Sequence, residues 1–549
     1  MIRLSEIKLT LAQAEHPEAP LRTTAAALLG LQSNDIARVD VFKRSFDARK
    51  AELMAVYIVD VTLADPAGEP AVLARFPRHP HVGPTPDMEW RPPVRVAEPM
   101  SERPVVVGFG PCGIFAALVL AQMGLRPIVL ERGKTVRERT KDTWGLWRKR
   151  ELNPESNVQF GEGGAGTFSD GKLYSQIKDP RHLGRKVMEE FVKAGAPEEI
   201  LYVAHPHIGT FKLVKVVENM REQIIALGGE IRFQQRVTDL MIEGDGDMHQ
   251  LRGLTVLNQA TGEKYELRAD HVVLALGHSS RDTFEMLHER GVFLEAKPFS
   301  IGFRIEHPQG VIDRARWGRH AGHPLLGAAD YKLVHHAGNG RSVYSFCMCP
   351  GGTVVAATSE VGRVVTNGMS QYSRNERNAN AGMVVGIDPH DYPGGPLAGV
   401  ELQRKLESNA FVLGGGTYNA PGQLVGDFIA GRPSTQWGDV EPSYKPGVTL
   451  GDLQGALPDY AITALREALP AFGRKIKGFD MPDAVLTGVE TRTSSPLKIT
   501  RGEDYQSLNV RGLYPAGEGA SYAGGILSAG VDGIRVGEAV AKNIVSSRV

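Results

Sequence analysis

The sequence has little of what several protein classes require. Only three of its 549 residues are cysteine, which argues against a disulfide scaffold and favours a reducing compartment. Lys and Arg number 63, as do Asp and Glu, so no net charge attracts nucleic acid in bulk. No window offers about 18 uncharged apolar residues, and the first residues lack an apolar signal-peptide core. We therefore expect a cytoplasmic protein with no membrane partner and no nucleic-acid partner.

Several catalytic patterns are also missing. The sequence contains no P-loop, no HExxH helix and no Ser-His-Asp pattern. The paired cysteines have no further Cys or His at zinc-ligand spacing, so we expect no bound metal. Glycine, by contrast, is abundant: it makes up 63 residues of the 549, about 11% against roughly 7% in an average protein. The glycines are clustered, and such clusters usually mark backbone that approaches a ligand.

The clearest cluster opens a β-α-β unit. Gly108-Phe-Gly110-Pro-Cys-Gly113 lies between a Val-rich strand and a helix over 114–123, and a second strand ends at Glu131. Gly108 permits a tight turn, Gly110 lets the backbone approach a pyrophosphate, and Gly113 allows close helix–strand packing. The amides at the helix N-terminus would face the phosphates, and Glu131 would accept from both ribose hydroxyls. The pattern predicts a bound dinucleotide.

A second pattern near the C-terminus indicates which dinucleotide. The turn proline, the paired alanines of the helix and the Glu-Arg-Gly end of the second strand resemble the FAD-type version of this unit. The segment Gly512-Leu-Tyr-Pro-Ala-Gly517-Glu518, with Gly524-Gly525-Ile526 after it, resembles the closing motif of FAD enzymes. That resemblance implies that Glu518 contacts the ribityl chain and that the next helix points its N-terminus at the flavin. No second GxGxxG unit follows a strand, so NAD(P)H would have to visit transiently.

Further segments should border the cofactor. Val237 and the segment 275–277 take the places where this fold usually meets adenine and pyrophosphate. The glycine-rich stretch 157–173 lies either against the isoalloxazine or in a surface loop. Together the predicted cofactor contacts are Gly108, Gly110, Pro111, Cys112, Gly113, Glu131, Arg132, Gly164, Gly166, Val237, Ala275, Gly277, Gly517, Glu518, Gly524, Gly525 and Ile526.

Four residues are candidates for catalysis, each with a plainer alternative. Cys347 and Cys349 form a CxC that either passes electrons to the flavin or is a buried pair on a strand end. Arg492, in a donor-rich segment, either binds an anionic substrate or cofactor phosphate or forms an ion pair. Lys172 either supplies positive charge to the flavin or is solvated. The histidine pairs at 205/207 and 335/336 either include a general base or are structural.

The sequence resembles a family of largely uncharacterised bacterial FAD-dependent dehydrogenases (NAD(P)/FAD-dependent oxidoreductases) with an N-terminal ferredoxin-like module. Cys112 stands where the family pattern leads us to expect alanine. The resemblance implies bound FAD, a two-part FAD domain, no metal and no agreed substrate. The phrases that carry it span almost the whole chain and lie at 45–50, 161–172, 345–352, 378–380, 490–496 and 514–519.

We therefore predict an α/β protein built on a discontinuous, glutathione-reductase-like Rossmann domain that binds FAD. Its parts, 104–289 and 486–549, enclose a β-rich α+β substrate domain at 290–485. A ferredoxin-like α+β module at 1–75 precedes them, joined by a Pro-rich linker at 76–103 that should form neither helix nor sheet ladder. The expected activity is FAD-dependent oxidoreduction of a small organic substrate. Modification of a macromolecule such as tRNA and a non-turnover regulatory role stay open.

Overall fold

The structure is a computed structural model that describes residues 1–547, so the last two residues of the predicted part 486–549 lie outside the described residues. The first region is a small sheet with helices on one side. Its neighbouring strands run antiparallel in the order β2-β3-β1-β4. The elements of this region are β1 (Ile2–Thr10), α1 (Leu11–Ala14), α2 (Glu18–Leu29), β2 (Ile36–Asp47), β3 (Met54–Leu63), α3 (Glu69–Ala74) and β4 (Val82–Pro84).

The Pro-rich segment corrects one expectation. We expected no sheet ladder over 76–103, but β4 lies within it and pairs with β1 through Val82, Gly83 and Pro84. Proline is tolerated there because β4 is an edge strand, whose outer N–H groups need no partner. Later in the segment, the Trp90 indole N–H donates to Glu538 at 2.8 Å. The Pro-rich segment is therefore anchored at two points, β4 and Trp90.

The next region supplies most of a parallel sheet and a smaller antiparallel one. Its elements are β5 (Val105–Val107), α4 (Pro111–Gln122), β6 (Ile128–Glu131), α5 (Val136–Lys149), α6 (Leu183–Lys193), α7 (Thr210–Ala226), β7 (Glu230–Phe233), β8 (Gln235–Glu243), β9 (His249–Asn258), β10 (Lys264–Arg268), β11 (Val272–Leu274) and α8 (Arg281–Glu289).

The rest of the described chain forms a large mixed sheet and then returns to the parallel one. Its elements are β12 (Leu294–Ala296), β13 (Phe299–Pro308), α9 (Gln309–Trp317), β14 (Val334–His336), β15 (Ser342–Ala356), β16 (Thr366–Met369), β17 (Asn378–Ile387), α10 (Ala398–Leu413), β18 (Ala420–Leu424), α11 (Val425–Ala430), β19 (Val448–Leu450), α12 (Asp459–Lys475), β20 (Val485–Glu490), β21 (Leu497–Ile499), β22 (Val510–Arg511), β23 (Leu513–Pro515) and α13 (Ile526–Ser546).

The parallel sheet joins the two distant parts of the chain. Its strands lie in the order β23-β11-β5-β6-β7, and every neighbouring pair is parallel. Helix α13 packs so closely on α4 that a Cβ at Gly533 would overlap the Cys112 carbonyl oxygen. Because parallel strands end at the same edge, the residues that follow β5, β6, β11 and β23 converge there.

The mixed sheet has the order β14-β15-β17-β13-β20-β18-β19, with β16 paired to β15. Strand β20 pairs with β13 and β18, so the boundary expected at 485/486 falls inside a strand of this sheet. The chain enters this region through β12 and leaves it through β21, and these two strands pair with each other. Among the described residues, no helix combines the length and apolarity needed to cross a membrane.

Candidate functional site

A cavity of about 460 Å³ lies where the parallel sheet's strand ends meet the mixed sheet. This volume is within the range of ligand sites, roughly 300–1,000 Å³. Gly113, Gly517 and Cys349 lie outside its lining. The predicted cofactor and catalytic residues that line it are Gly108, Gly110, Pro111, Cys112, Glu131, Arg132, Gly164, Gly166, Lys172, Val237, Ala275, Gly277, Cys347, Arg492, Glu518, Gly524, Gly525 and Ile526.

The turn after β5 brings backbone into this cavity. Gly108 has φ +102°, and a Cβ there would overlap the Ala275 carbonyl oxygen. A Cβ at Gly113 would overlap the Gly108 carbonyl oxygen, so this glycine serves the close packing predicted for it. Helix α4 begins at Pro111, earlier than the predicted 114, because proline suits the first helical position. Gly110, Pro111 and Cys112, at the start of this helix, line the cavity, so the positive end of α4 lies beside it.

Glu131 ends β6, and its carboxylate already accepts hydrogen bonds from backbone amides. One oxygen accepts from the Phe109 amide at 2.9 Å, and the other accepts from the amides of Gly133 at 3.0 Å and Gly161 at 3.1 Å. A carboxylate offers about four lone-pair sites, so capacity remains for a ligand hydroxyl. The same contacts fix the carboxylate's orientation at the cavity wall.

Arg132 also reaches the cavity, but its guanidinium is already engaged. It pairs with Glu155 at 3.0 Å and with Asp282 at 2.8 Å, and it stacks over the Phe160 ring with its central carbon 4.0 Å from the centroid. Its planar face and stem remain to pack against a ligand.

The glycine-rich loop lies against the turn after β5 and lines the cavity. A Cβ at Gly110 would lie 3.4 Å from the Gly164 Cα. The loop is held by Arg139 of α5, a fully buried side chain that the sequence did not single out. Its guanidinium donates to five loop carbonyls, those of Asn157 (3.0 Å), Val158 (2.7 Å), Gly161 (3.2 Å), Glu162 (2.7 Å) and Gly164 (2.8 Å).

The N-terminus of α13 opens directly onto the cavity. Gly525 is its N-cap, in extended backbone with φ −177°. A Cβ built at Gly277, Gly524 or Gly525 would meet no atom within 4 Å. Since all three line the cavity, their missing side chains leave space that a ligand can fill, and the positive end of the helix faces it.

Cysteine sulfurs and charged side chains lie at the end of the cavity beyond the glycine loop. Lys172 donates to the Met348 carbonyl, and although burial opposes it, Asp170 and Cys347 raise the pKa of Lys172. Cys347 is part-buried at the cavity wall, whereas Cys349 is fully buried behind it. Behind both, Arg304 pairs with Glu490 at 3.1 Å, and burial raises the pKa of Glu490 to about 7.

Arg492 is part of a buried ion-pair cluster. It donates to Glu407 at 2.7 Å, to Ser279 at 2.9 Å and to Ser359 at 2.7 Å. Arg281 of α8 pairs with the other Glu407 oxygen at 2.7 Å. The donors of Arg492 are thus satisfied within the protein. This geometry favours the ion-pair interpretation, and a role in binding a substrate anion stays a prediction.

Two polar side chains of the lining were not predicted as site residues. Tyr331 places a buried hydroxyl without a hydrogen-bond partner among the described residues at the cavity wall. Burial lowers the pKa of His278 to about 3, so its imidazole is neutral. The predicted histidine pairs at 205/207 and 335/336 lie outside the lining. No sequence signal marks Tyr331 or His278, because neither lies in a recognisable motif.

A second cavity, of about 700 Å³, lies between the first region and the mixed sheet. The segment 45–49 of the first region lines one side, and Arg316 and Lys475 line the other. Tyr331 and Lys332 line both cavities, so they form the partition between them.

The residues present fit an elongated dinucleotide. The turn after β5 and the α4 N-terminus suit a pyrophosphate, Glu131 retains capacity for one ribose hydroxyl, and the open glycines at α13 leave room for a flat ring. Glu518, which follows β23 at the same edge, adds an acceptor, and burial raises its pKa to about 7. FAD is therefore compatible with the residues that line the cavity.

Comparisons with known proteins agree with the motifs. The profile of the "FAD-dependent protein, C-terminal domain-like" family matches residues 298–493, and a domain of unknown function matches residues 1–62. An uncharacterized protein of Clostridium beijerinckii is 48% identical over 516 residues, covering 93% of each chain.

Solved structures show a more distant likeness. The Thermovibrio ammonificans THI4 is 18% identical, with a TM-score of 0.24, over 35% of this chain and 64% of its own. An E. coli quinol fumarate reductase variant is 13% identical, with a TM-score of 0.37, over 81% of this chain and 71% of its own. A 3-ketosteroid dehydrogenase from Rhodococcus jostii RHA1 is 14% identical, with a TM-score of 0.35, over 82% of this chain and 100% of its own.

Proposed function

This chain belongs to the family of largely uncharacterised bacterial FAD-dependent dehydrogenases that its motifs indicate, and on that premise we propose that it binds FAD in the 460 Å³ cavity and moves a hydride or electron pair between FAD and a small organic substrate. Bound FAD supplies the acceptor or donor of that electron pair. The residues of the chain bind the cofactor, orient it and exclude water around it.

One observation carries the proposal. The segments 108–112 and 524–526 are separated by some four hundred residues of sequence, yet both line one cavity. Each ends in a helix N-terminus that faces that cavity, at α4 and at α13. Two positive helix ends on one cavity suit a ligand with a pyrophosphate and a ring that becomes anionic when reduced.

The role that we propose for each residue follows from its position in the cavity. The α4 amides would hold the pyrophosphate, Glu131 the adenosine ribose, and Glu518 the ribityl chain. Lys172 and the α13 N-terminus would stabilise negative charge on the ring. The order β23-β11-β5-β6-β7 supports a discontinuous Rossmann-type domain, and the order β2-β3-β1-β4 supports a ferredoxin-like module.

The direct test is spectroscopic. Purified full-length protein, loaded with FAD where needed, is titrated anaerobically with NADH and with NADPH while the flavin absorbance is followed. We expect one nucleotide to reduce the flavin and so bleach it rapidly. Because the chain has a single GxGxxG unit, this nucleotide would bind transiently rather than in a domain of its own. Protein that neither carries nor binds FAD would contradict the proposal.

Gly525→Val should weaken FAD binding at least about tenfold, equivalent to about 1.4 kcal/mol. Its backbone is extended, so valine adds no strain, and the new side chain projects into the open space at the α13 N-terminus. The dissociation constant is measured by fluorescence titration of FAD into apo-protein, and apo-protein thermal stability is measured alongside.

Gly386→Val is the matched control. A Cβ at Gly386, in strand β17, also meets no atom within 4 Å, but this glycine lies outside the cavity lining. We expect its FAD affinity to equal that of the wild type. Equal affinities for the two variants would show that the space beside Gly525 is not used by the cofactor.

A further inference from the structure

Cys347 and Cys349 have a geometry that packing alone does not explain. Cys347 has φ +47°, a left-handed conformation that is costly for a residue with a Cβ. The β15–β17 pairing shifts register on either side of Cys349, and such bulges redirect side chains. As a result Cys347 reaches the cavity wall while Cys349 stays buried behind it.

Two cations flank this pair. The fully buried guanidinium of Arg304 donates to the Cys347 carbonyl and lies 3.5 Å from the Cys349 sulfur. The Lys172 ammonium contacts the intervening Met348 carbonyl. Space for Arg304 depends on a glycine, since a Cβ at Gly368 would overlap its guanidinium. Arg304 shares its guanidinium between Glu490, at 3.1 Å, and the two cysteines, so one of its terminal nitrogens places positive charge beside sulfur and favours a thiolate there.

The two sulfurs differ in protonation. A hydrogen bond from the Cys349 thiol lowers the pKa of Cys347 to about 5, and Arg304 and Lys172 lower it further against the effect of burial. The same contact and burial raise the pKa of Cys349. The contacts therefore favour the thiolate on Cys347, at the cavity wall, and the thiol on Cys349, whose sulfur lies 3.4 Å from the Cys347 carbonyl oxygen.

We propose that Cys347 and Cys349 form a second two-electron redox centre, which exchanges an electron pair with FAD bound in the same cavity. The inference rests on the proposed function, because it needs the cofactor. In the oxidising direction the Cys349 S–H bond breaks and a bond forms between the two sulfurs. Two electrons and the Cys349 proton pass to bound FAD. Their net charge is −1, which equals the charge that the thiolate loses. The reverse step splits the disulfide and restores thiolate and thiol, so no further co-reactant is required.

The first test counts electrons. FAD-loaded full-length protein is titrated anaerobically with dithionite, starting from the air-oxidised form. The wild type should accept about four electrons per FAD, because the disulfide and the flavin each take about two, and Cys347→Ser and Cys349→Ser should each accept about two. FAD-loaded wild type that accepts only about two would overturn the dithiol centre and leave the proposed function standing. A chain that binds no FAD would contradict both.

The second test needs no variant. Apo-protein is incubated with reduced or with oxidised glutathione, unfolded, alkylated and mass-analysed. All three cysteines should be alkylated after reduction, and Cys112 alone after oxidation, with the new bond mapped to 347–349. Cys112 is the internal reference, since burial raises the pKa of its thiol. Alkylation of all three cysteines in both samples would refute the proposal.

Discussion

Arg139→Met is expected to abolish stable retention of FAD, with affinity at least about 100-fold weaker, equivalent to about 2.7 kcal/mol. The side chain donates to five carbonyls of the glycine loop, and each buried carbonyl left without a donor costs about 1–3 kcal/mol. Burial lowers the pKa of Arg139 to about 10, so the guanidinium is still charged at neutral pH. Without it the loop keeps the Gly161 amide bond to Glu131 and the Gly163 amide bond to the Phe109 carbonyl, but loses the five bonds that fix its other carbonyls.

The neighbouring Arg137 supplies the control. It lies on the same helix, α5, and its exposed side chain pairs with Glu218 at 2.7 Å. Arg137→Met should change FAD affinity less than twofold. Arg139→Lys should resemble Arg139→Met, because one ammonium cannot reach five carbonyls. Dissociation constants are read from fluorescence titration, and near-ultraviolet circular dichroism reports whether each apo-protein is folded. A folded Arg139→Met that binds FAD like the wild type would remove the loop from the binding site.

Spacing in the sequence was sufficient to predict both ends of the candidate cofactor site. Gly108, Glu131 and Gly525 each carry a local reason for their position, since a turn, a strand end and a helix start can be recognised from neighbouring residues. Arg139 carries none, because its partners are backbone carbonyls, which every sequence possesses. Its role appears only once the loop has folded around it.

The CxC motif also shows what the sequence alone could not predict. The motif itself is visible in the sequence, but its chemistry depends on Lys172 and Arg304, which come from distant segments. The predicted boundary at 485/486 falls inside a strand for a related reason. The strand β20 is equally apolar whichever sheet it joins, and only its pairing with β13 assigns it to the mixed sheet.

Glu407→Gln is expected to lower the free energy of unfolding by about 3–5 kcal/mol, because it leaves the buried Arg492 guanidinium without a carboxylate and Arg281 with Glu360 alone. Glu407 of α10 is fully buried and pairs with Arg281 and Arg492 at 2.7 Å each. The cluster joins α8 beside the parallel sheet to the segment after β20, so its loss should also loosen the contact between the two sheets. Glu401→Gln, on the exposed side of the same helix, should change stability by less than about 0.5 kcal/mol.

The same carboxylate should make the protein sensitive to acid. Burial alone would raise its pKa, but Arg281 and then Arg492 hold the pKa of Glu407 at about 2, below the ordinary 4.5. A depressed folded-state pKa stabilises the protein fully above pH 4.5, and that stabilisation, about 3 kcal/mol, is lost as the pH falls toward 2. Urea unfolding of wild type and Glu407→Gln should therefore differ most near pH 7 and converge in acid. A constant difference across this range would mean that the carboxylate does not titrate with folding, and that its hydrogen bonds rather than its charge hold the two arginines.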